Sequence, residues 1–214
     1  MARTIARDHD DKRRAILKRA AAVFAREGFD RASVARVAAA CDISKANIYH
    51  YYSSKDDLLF DILDTYLSGL RDRICGLDLA GLEPEAAFHR CVVEVLLAYR
   101  GADDEHRLQA NGLARLPPER QAVLRGYQRE LVDHMAARVA ALAPEVFDGD
   151  RARLRAATMS VFGMLNWFYM WNGKASEAER RDYAGVVCGL CLRGVGGLGV
   201  DSIESTLNPL ATLD

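Results

Sequence analysis

Lys45, Ala46, Asn47, Tyr49 and His50 lie within six residues of one another, and their types suit reading the edges of base pairs. A lysine ammonium donates to guanine acceptors, an asparagine amide pairs bidentately with adenine, and an alanine methyl touches thymine while letting the backbone come close. Around them Ser33, Ser44, Tyr49, His50 and Lys55 carry groups that can reach phosphate oxygens. The bland alternative is a small helical cap whose basic face is merely solvated. Residue types and spacing alone leave both readings open.

Other reactive residues point to less. Cys188-Gly-Leu-Cys191 is a Cys-x-x-Cys, half a zinc site, with no second pair at matching spacing. A redox motif would follow a strand, whereas two thiols three apart on a helix simply share a face. These cysteines carry the rival reading, a thiol-based redox sensor or a helical enzyme handling a small molecule. No nucleophile elbow, phosphate-binding glycine loop or His-Glu-x-x-His is present. Asp56-Asp57 and Asp103-Asp104 stand at expected helix starts, where the macrodipole favours anions. No catalytic residue, metal ligand or cofactor is assigned, and the chain is read as not an enzyme.

The elements that position these residues are all helical. Ile16, Ala20, Val23 and Phe24 recur as the stripe of an amphipathic helix that ends at Gly28. Ser33 is placed to cap a short second helix carrying Val34, Val37 and Ala38, and Cys41-Asp42-Ile43 interrupts it. Ser44 caps a third helix from Lys45 to Tyr52, in which Ile48 plugs the small core and its neighbours face outward. Ser54 caps a long fourth helix reaching about Ile74. Further helices are expected at roughly 84–100, 103–115, 118–142, 150–172 and 176–194, punctuated by Gly101, Pro117-Pro118, Pro144 with Gly149, and Gly173. The expected fold is all-α: a three-helix domain with a helix-turn-helix at 1–57, a helical bundle at 58–199 and a loose tail at 200–214, the fourth helix bridging the two domains.

Composition narrows the classes. Half of the 214 residues are hydrophobic and 28% are charged, which is globular rather than disordered. The net charge is −1, yet residues 1–60 hold 12 Lys and Arg against 8 Asp and Glu, while residues 61–214 hold 17 against 22. A basic head on an acidic body hints at local nucleic-acid contact. Five scattered cysteines, an odd number, argue against a disulfide scaffold and for a reducing compartment. Met1 to Arg14 lacks the apolar core of a secretory signal. The most apolar stretch, Ala156 to Trp171, is shorter than the roughly 20 residues of a membrane span. A cytoplasmic protein with no membrane partner is expected.

The run Ser33-Val34-Ala35-Arg36-Val37-Ala38 followed by Ile43-Ser44-Lys45-Ala46-Asn47-Ile48-Tyr49-His50-Tyr51-Tyr52-Ser53-Ser54-Lys55-Asp56-Asp57-Leu58 resembles the DNA-binding signature of the tetracycline-repressor (TetR/AcrR) family, and Gly28-Phe29 fits its usual Gly with an aromatic. The resemblance covers about residues 12–60. It implies a bacterial transcription regulator, usually a homodimeric repressor released from a pseudo-palindromic DNA operator by a small molecule in its C-terminal domain. By position, Lys45, Ala46, Asn47, Tyr49 and His50 would face the major groove, and Ser33, Ser44, Tyr49, His50 and Lys55 would hold the backbone. Departures are Asp42 for the usual turn Gly, Ala46 for Gly and Tyr52 for Phe. Asp tolerates left-handed geometry, so the turn survives; these changes bear on the operator sequence.

In the body, Ala156 to Trp171 is apolar nearly all round, so such a helix needs two partners, its own bundle on one side and a second subunit or a ligand on the other. A dimer interface is expected at Val161, Leu165 and Phe168 with Val186, Gly189 and Leu190, where Gly185 and Gly189 permit close helix approach. Asn166 within this apolar stretch must find a partner. With Tyr99, Asn111, Tyr127, Phe162, Trp167 and Met170 it forms the expected effector site; ordinary core packing is the alternative for the aromatics. The string Phe162 to Trp171 also resembles a subgroup of the family whose effectors include acyl-CoA thioesters, which makes a hydrophobic effector of that kind the first candidate. An acyl tail would want an apolar slot and a CoA phosphate an arginine at its mouth. Arg107, Arg115, Arg120, Arg125 and Arg129 stand on the middle helices, where a solvated face interleaved with Glu119 and Glu130 explains them equally.

Overall fold

The computed structural model describes residues 2–195. The expected tail at 200–214, and the last residues of the expected second domain, lie outside them. Among the described residues every regular element is helical: α1 (Ala2–Glu27), α2 (Val34–Ala40), α3 (Lys45–Tyr51), α4 (Lys55–Cys75), α5 (Pro84–Ala98), α6 (Asp103–Gly112) followed by a 3-10 turn (Leu113–Arg115), α7 (Pro118–Leu142), α8 (Pro144–Phe147), α9 (Arg151–Asn172) and α10 (Glu177–Val195).

Local chemistry sets these boundaries. Gly28 ends α1 with φ +81°, and Asp42 makes the turn between α2 and α3 with φ +57°. Ser33 and Ser44 adopt extended backbone, and each hydroxyl accepts from an amide in the first turn of its helix, that of Arg36 and Asn47, both at 3.2 Å. Ser54 does the same for Asp57 at 3.0 Å. The third helix stops at Tyr51, one residue before the expected end, because Tyr52 is already extended. α8 was not expected: Pro144 reads as a breaker, but at the first position of a helix its missing N–H costs nothing.

The chain divides into two compact units, and the division is not the expected one at residue 57. The first unit comprises residues 1–71 and 101–128. Its core joins Ile16, Ala20, Val23 and Phe24 of α1 to Val37 and Ala38 of α2, Ile48 of α3 and Leu58, Leu59, Ile62 and Leu63 of α4. Leu108 of α6, Leu116 just after the 3-10 turn and Leu124 of α7 complete it, which is why this stretch belongs with the head. Gly112 matters here, since a Cβ on it would stand 3.3 Å from Leu59 Cδ1. On the outside, Lys18 Nζ donates to both oxygens of Glu105, at 2.8 and 2.9 Å, and to the carbonyl of Gly101.

The second unit comprises residues 72–100 and the chain from 129 onward. Phe88, Cys91, Val92, Val95 and Leu96 of α5 are buried together with Ala184, Val187 and Cys188 of α10, Met135 and Val139 of α7, and Leu165 and Phe168 of α9. Arg180, 1% exposed, donates to the carbonyls of Leu96 at 3.1 Å and Ala175 at 3.3 Å, and its guanidinium sits 5.4 Å from the centre of the Phe168 ring. Tyr183 stacks on Phe168 at 4.5 Å and donates to the Met164 carbonyl at 3.1 Å.

Candidate functional site

The third helix shows the expected division of labour. Ile48 is 1% exposed, whereas Lys45, Ala46, Asn47, Tyr49 and His50 all face solvent. One buried anchor per two turns is enough to seat so short a helix and leave the remaining faces open. Lys45 Nζ stands 5.5 Å from the centre of the Tyr49 ring one turn on, which pre-orders a cation beside a phenol. Ser33 and Ser44 are exposed; each oxygen accepts a capping bond, and each hydroxyl hydrogen can still donate to an anion.

Two residues that sequence reasoning passed over join this face. A groove of about 430 Å³ runs between α1 and the second and third helices, and Lys12 and Arg19 of α1 line it with Asn47, His50 and Tyr51. Arg19 also donates to the Ala40 carbonyl at 2.6 Å, tying α1 to the end of α2. The signal was available: residues seven apart lie on the same face of a helix.

Lys55 has a different position from the one expected. Its ammonium donates to the carbonyls of Phe29 at 2.7 Å, Ala32 at 3.1 Å and Asp30 at 3.3 Å, and lies 4.4 Å from the centre of the Phe29 ring. Three acceptors use the three hydrogens of the ammonium. Lys55 is thus a clamp on the loop between α1 and α2. Asp61 accepts from Tyr52 Oη at 2.6 Å and from Arg13 Nε at 2.9 Å, which gives the tyrosine that replaces the usual phenylalanine a partly buried partner. Arg36 pairs with Glu27 at 2.9 Å, and that hydrogen bond holds the Glu27 carboxyl below its ordinary range.

The expected effector residues do not gather in one place. Asn111 and Tyr127 belong to the first unit, where Tyr127 donates to Asp64 at 3.2 Å and Arg71 lies 4.9 Å from its ring centre. In the second unit Tyr99 donates to Asn166 Oδ1 at 2.7 Å, so the amide finds its partner inside the protomer. Burial pushes the Tyr99 hydroxyl well above its ordinary range, and it stays a donor. Phe162 is buried, while Trp167 and Met170 are 62% and 51% exposed. The second unit does hold a cavity, of about 330 Å³, on another side of α9: Arg153, Ala157, Ser160, Val161 and Met164 line it with Phe88, Val139, Leu142 and Cys191. None of the seven expected effector residues is among its lining.

The expected interface residues also divide. Val161, Leu165 and Phe168 are core, whereas Val186 and Leu190 are more than half exposed. The outward face of α9 is instead Met159, Gly163, Trp167, Met170 and Trp171. Apolar residues occupy both faces of this helix, so hydropathy could not tell which one turned inward. Gly163 and Gly185 have nothing within 4 Å of where a Cβ would be.

The two thiols of α10 are held protonated. Burial pushes Cys188 up to about 12, with Cys191 adding to it, and raises Cys191 as well. A thiol needs its thiolate to attack or to bind metal, so the environment works against the redox reading. Among the described residues no group of three or more His, Cys, Asp or Glu is arranged to hold a metal ion, and no helix is long and apolar enough to cross a membrane.

Residues 16–62 match the family of bacterial regulatory proteins described as the tetR family, and residues 81–195 match the tetracyclin repressor-like C-terminal domain. Among solved structures, a TetR-family transcriptional regulator from Bordetella parapertussis 12822 is 33% identical, with TM-score 0.77 over 84% of this chain and 93% of that one. The regulator PfmR from Thermus thermophilus is 24% identical, with TM-score 0.70 over 83% and 97% of the two chains. AibR, in complex with isovaleryl coenzyme A and operator DNA, is 24% identical, with TM-score 0.69 over 85% and 98%. The uncharacterized HTH-type transcriptional regulator YuxN of Bacillus subtilis (strain 168) is 32% identical over 80 residues, 37% of this chain and 28% of that protein. The match thus spans less than a third of that curated relative.

Proposed function

Because the chain belongs to the tetR family of bacterial regulatory proteins, whose members are DNA-binding transcriptional regulators and not enzymes, we propose that it is a cytoplasmic repressor that binds a pseudo-palindromic operator as a homodimer and leaves it when a hydrophobic small molecule occupies the second unit. The observation that carries this reading is α3, with Ile48 buried and Lys45, Asn47, Tyr49 and His50 all outward. Lys45 and Asn47 read base edges, and Ser33, Ser44 and the cations Lys12 and Arg19 hold phosphates. Two such helices, one per protomer, read half-sites roughly 34 Å apart.

The dimer forms through the open apolar face of α9 and α10. Met159, Trp167, Met170, Trp171, Val186 and Leu190 are each between 45% and 62% exposed, a patch that monomeric proteins rarely leave uncovered. The effector occupies the 330 Å³ cavity, which is of the size and apolar character of small-molecule sites, with Arg153 able to meet an acidic group. Acyl-CoA thioesters are the first ligands to try, given the likeness of the Phe162–Trp171 string and the isovaleryl coenzyme A carried by AibR. Ligand that prefers the DNA-incompetent conformer ~100-fold shifts the balance by about 2.7 kcal/mol.

The test is a titration of operator-bound protein with acyl-CoAs of graded chain length, following DNA release and calorimetric binding together. A thioester that binds and releases supports the reading. Full operator affinity in a Lys45/Asn47/Tyr49 triple alanine variant would remove the assignment of α3, and a chain that binds no DNA carrying its own upstream region would remove the repressor.

A further inference from the structure

The cavity of the second unit follows a single stripe of α9. Arg153, Ala157, Ser160, Val161 and Met164 recur along it at helical spacing, and Phe88 of α5 with Val139 and Leu142 of α7 faces them. Phe88, Val139 and Val161 form a buried floor, and Ser160 stands on the open side. The space is therefore a slot, with Arg153 toward one end and Met164 toward the other. They lie eleven positions apart, about 16 Å along the axis at a rise of about 1.5 Å per residue.

The two ends differ in chemistry. Arg153 is the one charged residue lining the slot. Its own partner is Asp150, whose Oδ2 stands 3.4 Å from Arg153 Nε and whose Oδ1 accepts the Arg153 amide at 2.9 Å as the cap of α9. Asp150 is stabilised by the N-terminus of α9 as well, so Arg153 is not its sole counter-charge. The pairing orients the guanidinium by its Nε side, and the edge formed by Nη1 and Nη2 presents parallel N–H donors that match the two oxygens of a carboxylate. Ser160 Oγ donates to the Ala156 carbonyl at 2.9 Å, and burial keeps the Cys191 thiol protonated. Toward Met164 the walls are mostly aliphatic.

We propose that this slot takes a free medium-chain monocarboxylic acid of about ten carbons, its carboxylate on the Nη edge of Arg153 and its chain running along α9 toward Met164. The proposal rests on the reading of this cavity as the effector site and names the ligand's class. Two size arguments agree on the chain. An apolar cavity of about 150 Å³ holds benzene, six carbon atoms, so on that scale 330 Å³ takes about 13 non-hydrogen atoms. A ten-carbon acid has about that number. A saturated chain advances roughly 1.2 Å per bond, the rise of an extended backbone shared over its three bonds, so such an acid spans about 12 Å. That length fits between the side chains of Arg153 and Met164. A thioester offers the fork one carbonyl oxygen in place of two, and its coenzyme is far larger than the space.

Calorimetry on the full chain with decanoate, its neutral amide decanamide, hexadecanoate and decanoyl-CoA tests this, with operator release followed in parallel. Decanoate is expected to saturate at one ligand per chain. Decanamide should bind roughly tenfold more weakly or worse, the worth of a charged hydrogen-bonded contact, and hexadecanoate should bind more weakly than decanoate because it outruns the slot. Arg153→Met should bring decanoate and decanamide to equal affinity, an outcome that a general loosening of the fold does not produce; circular dichroism melts check that the fold persists. Met164→Ala, which lengthens the slot, should move the preferred acid toward longer chains. No saturation at millimolar decanoate overturns the proposal, as does undiminished preference for decanoate over decanamide in Arg153→Met. Binding of decanoyl-CoA with none of decanoate overturns it too, and leaves the effector reading standing. Decanoate that binds through Arg153 without releasing the operator supports the proposal and removes the effector reading instead.

Discussion

Tyr99 and Asn166 satisfy each other: the phenol of α5's C-cap donates to the amide oxygen in the middle of α9 at 2.7 Å. A polar residue inside an apolar helix draws attention as a ligand contact, but here it latches two helices of one unit together. The bond also explains why Tyr99 tolerates burial at 7% exposure, since a buried hydroxyl without an acceptor is costly.

Tyr99→Phe is therefore expected to destabilise the protein by about 1–3 kcal/mol, the penalty for orphaning a largely desolvated acceptor. Adding Asn166→Leu should recover much of the loss, because both polar partners are then gone. Urea denaturation of the two single variants and the double variant measures the coupling. Unchanged stability in Tyr99→Phe, with a changed ligand affinity, would return Asn166 to the effector.

Lys55→Ala should behave as a folding variant. The ammonium binds three carbonyls of the loop between α1 and α2, and charged hydrogen bonds contribute roughly 1.5–3 kcal/mol. The melting temperature should fall while the salt dependence of operator binding keeps its slope. A lowered slope at unchanged stability would mean that Lys55 reaches a phosphate.

Much of this was legible in residue types whose chemistry is local. Ser33, Ser44 and Ser54 cap the helices they precede, and Asp42 takes the left-handed turn, because each needs only its neighbours. Ile48 was legible because an isolated apolar residue in a short polar helix has one place to go. What depended on distant packing was not. Val161, Leu165 and Phe168 are as apolar as Met159, Trp167 and Met170, and only the rest of the unit decides which set turns inward. Lys55 has the type that reaches phosphate and the surroundings of a clamp. Leu108 and Gly112 belong to the head because they fit Leu59 and its neighbours, a match of shape that no periodicity reveals.

Gly189→Leu separates folding from assembly. A Cβ there would meet only Arg193, at 3.8 Å, within its own protomer, so leucine is accommodated in the single chain. On the open face it holds the facing helices apart, and monomers are expected by light scattering, with an unchanged helical content. A stable dimer of Gly189→Leu would move the interface elsewhere on the surface.

Acid stability should carry a contribution from Asp57. Hydrogen bonds from Arg120 and from Ser54 hold its carboxyl below the ordinary value of 3.8. In the unfolded chain the group takes up its proton near that ordinary value, so between the two pKa values the unfolded state binds more protons. The resulting stability is fully present above roughly pH 5 and is lost as pH falls through the folded pKa. Asp57→Asn should lower stability at neutral pH and make it fall less steeply between roughly pH 5 and 3. Because the pair is partly exposed, added salt should shrink the difference. Parallel acid limbs for the two proteins would show that the pairing is spent on desolvation.

Ala157→Phe addresses the cavity of the second unit directly. Ala157 lies on its wall, between Arg153 and Val161 on the same side of α9, and a phenyl ring there occupies much of a 330 Å³ space. In an open cavity the ring gains apolar contacts, so the melting temperature should hold or rise; in a closed core, overpacking would cost about 1–3 kcal/mol. Operator affinity without effector should be unchanged, since residue 157 belongs to the other unit from α3. Release by an acyl-CoA thioester, however, should require far more ligand than in the wild type. The readout is operator release across the thioester series beside a thermal melt. Equal release from both proteins would place the effector outside this cavity, while a destabilised variant with wild-type release would show that the space closes in solution.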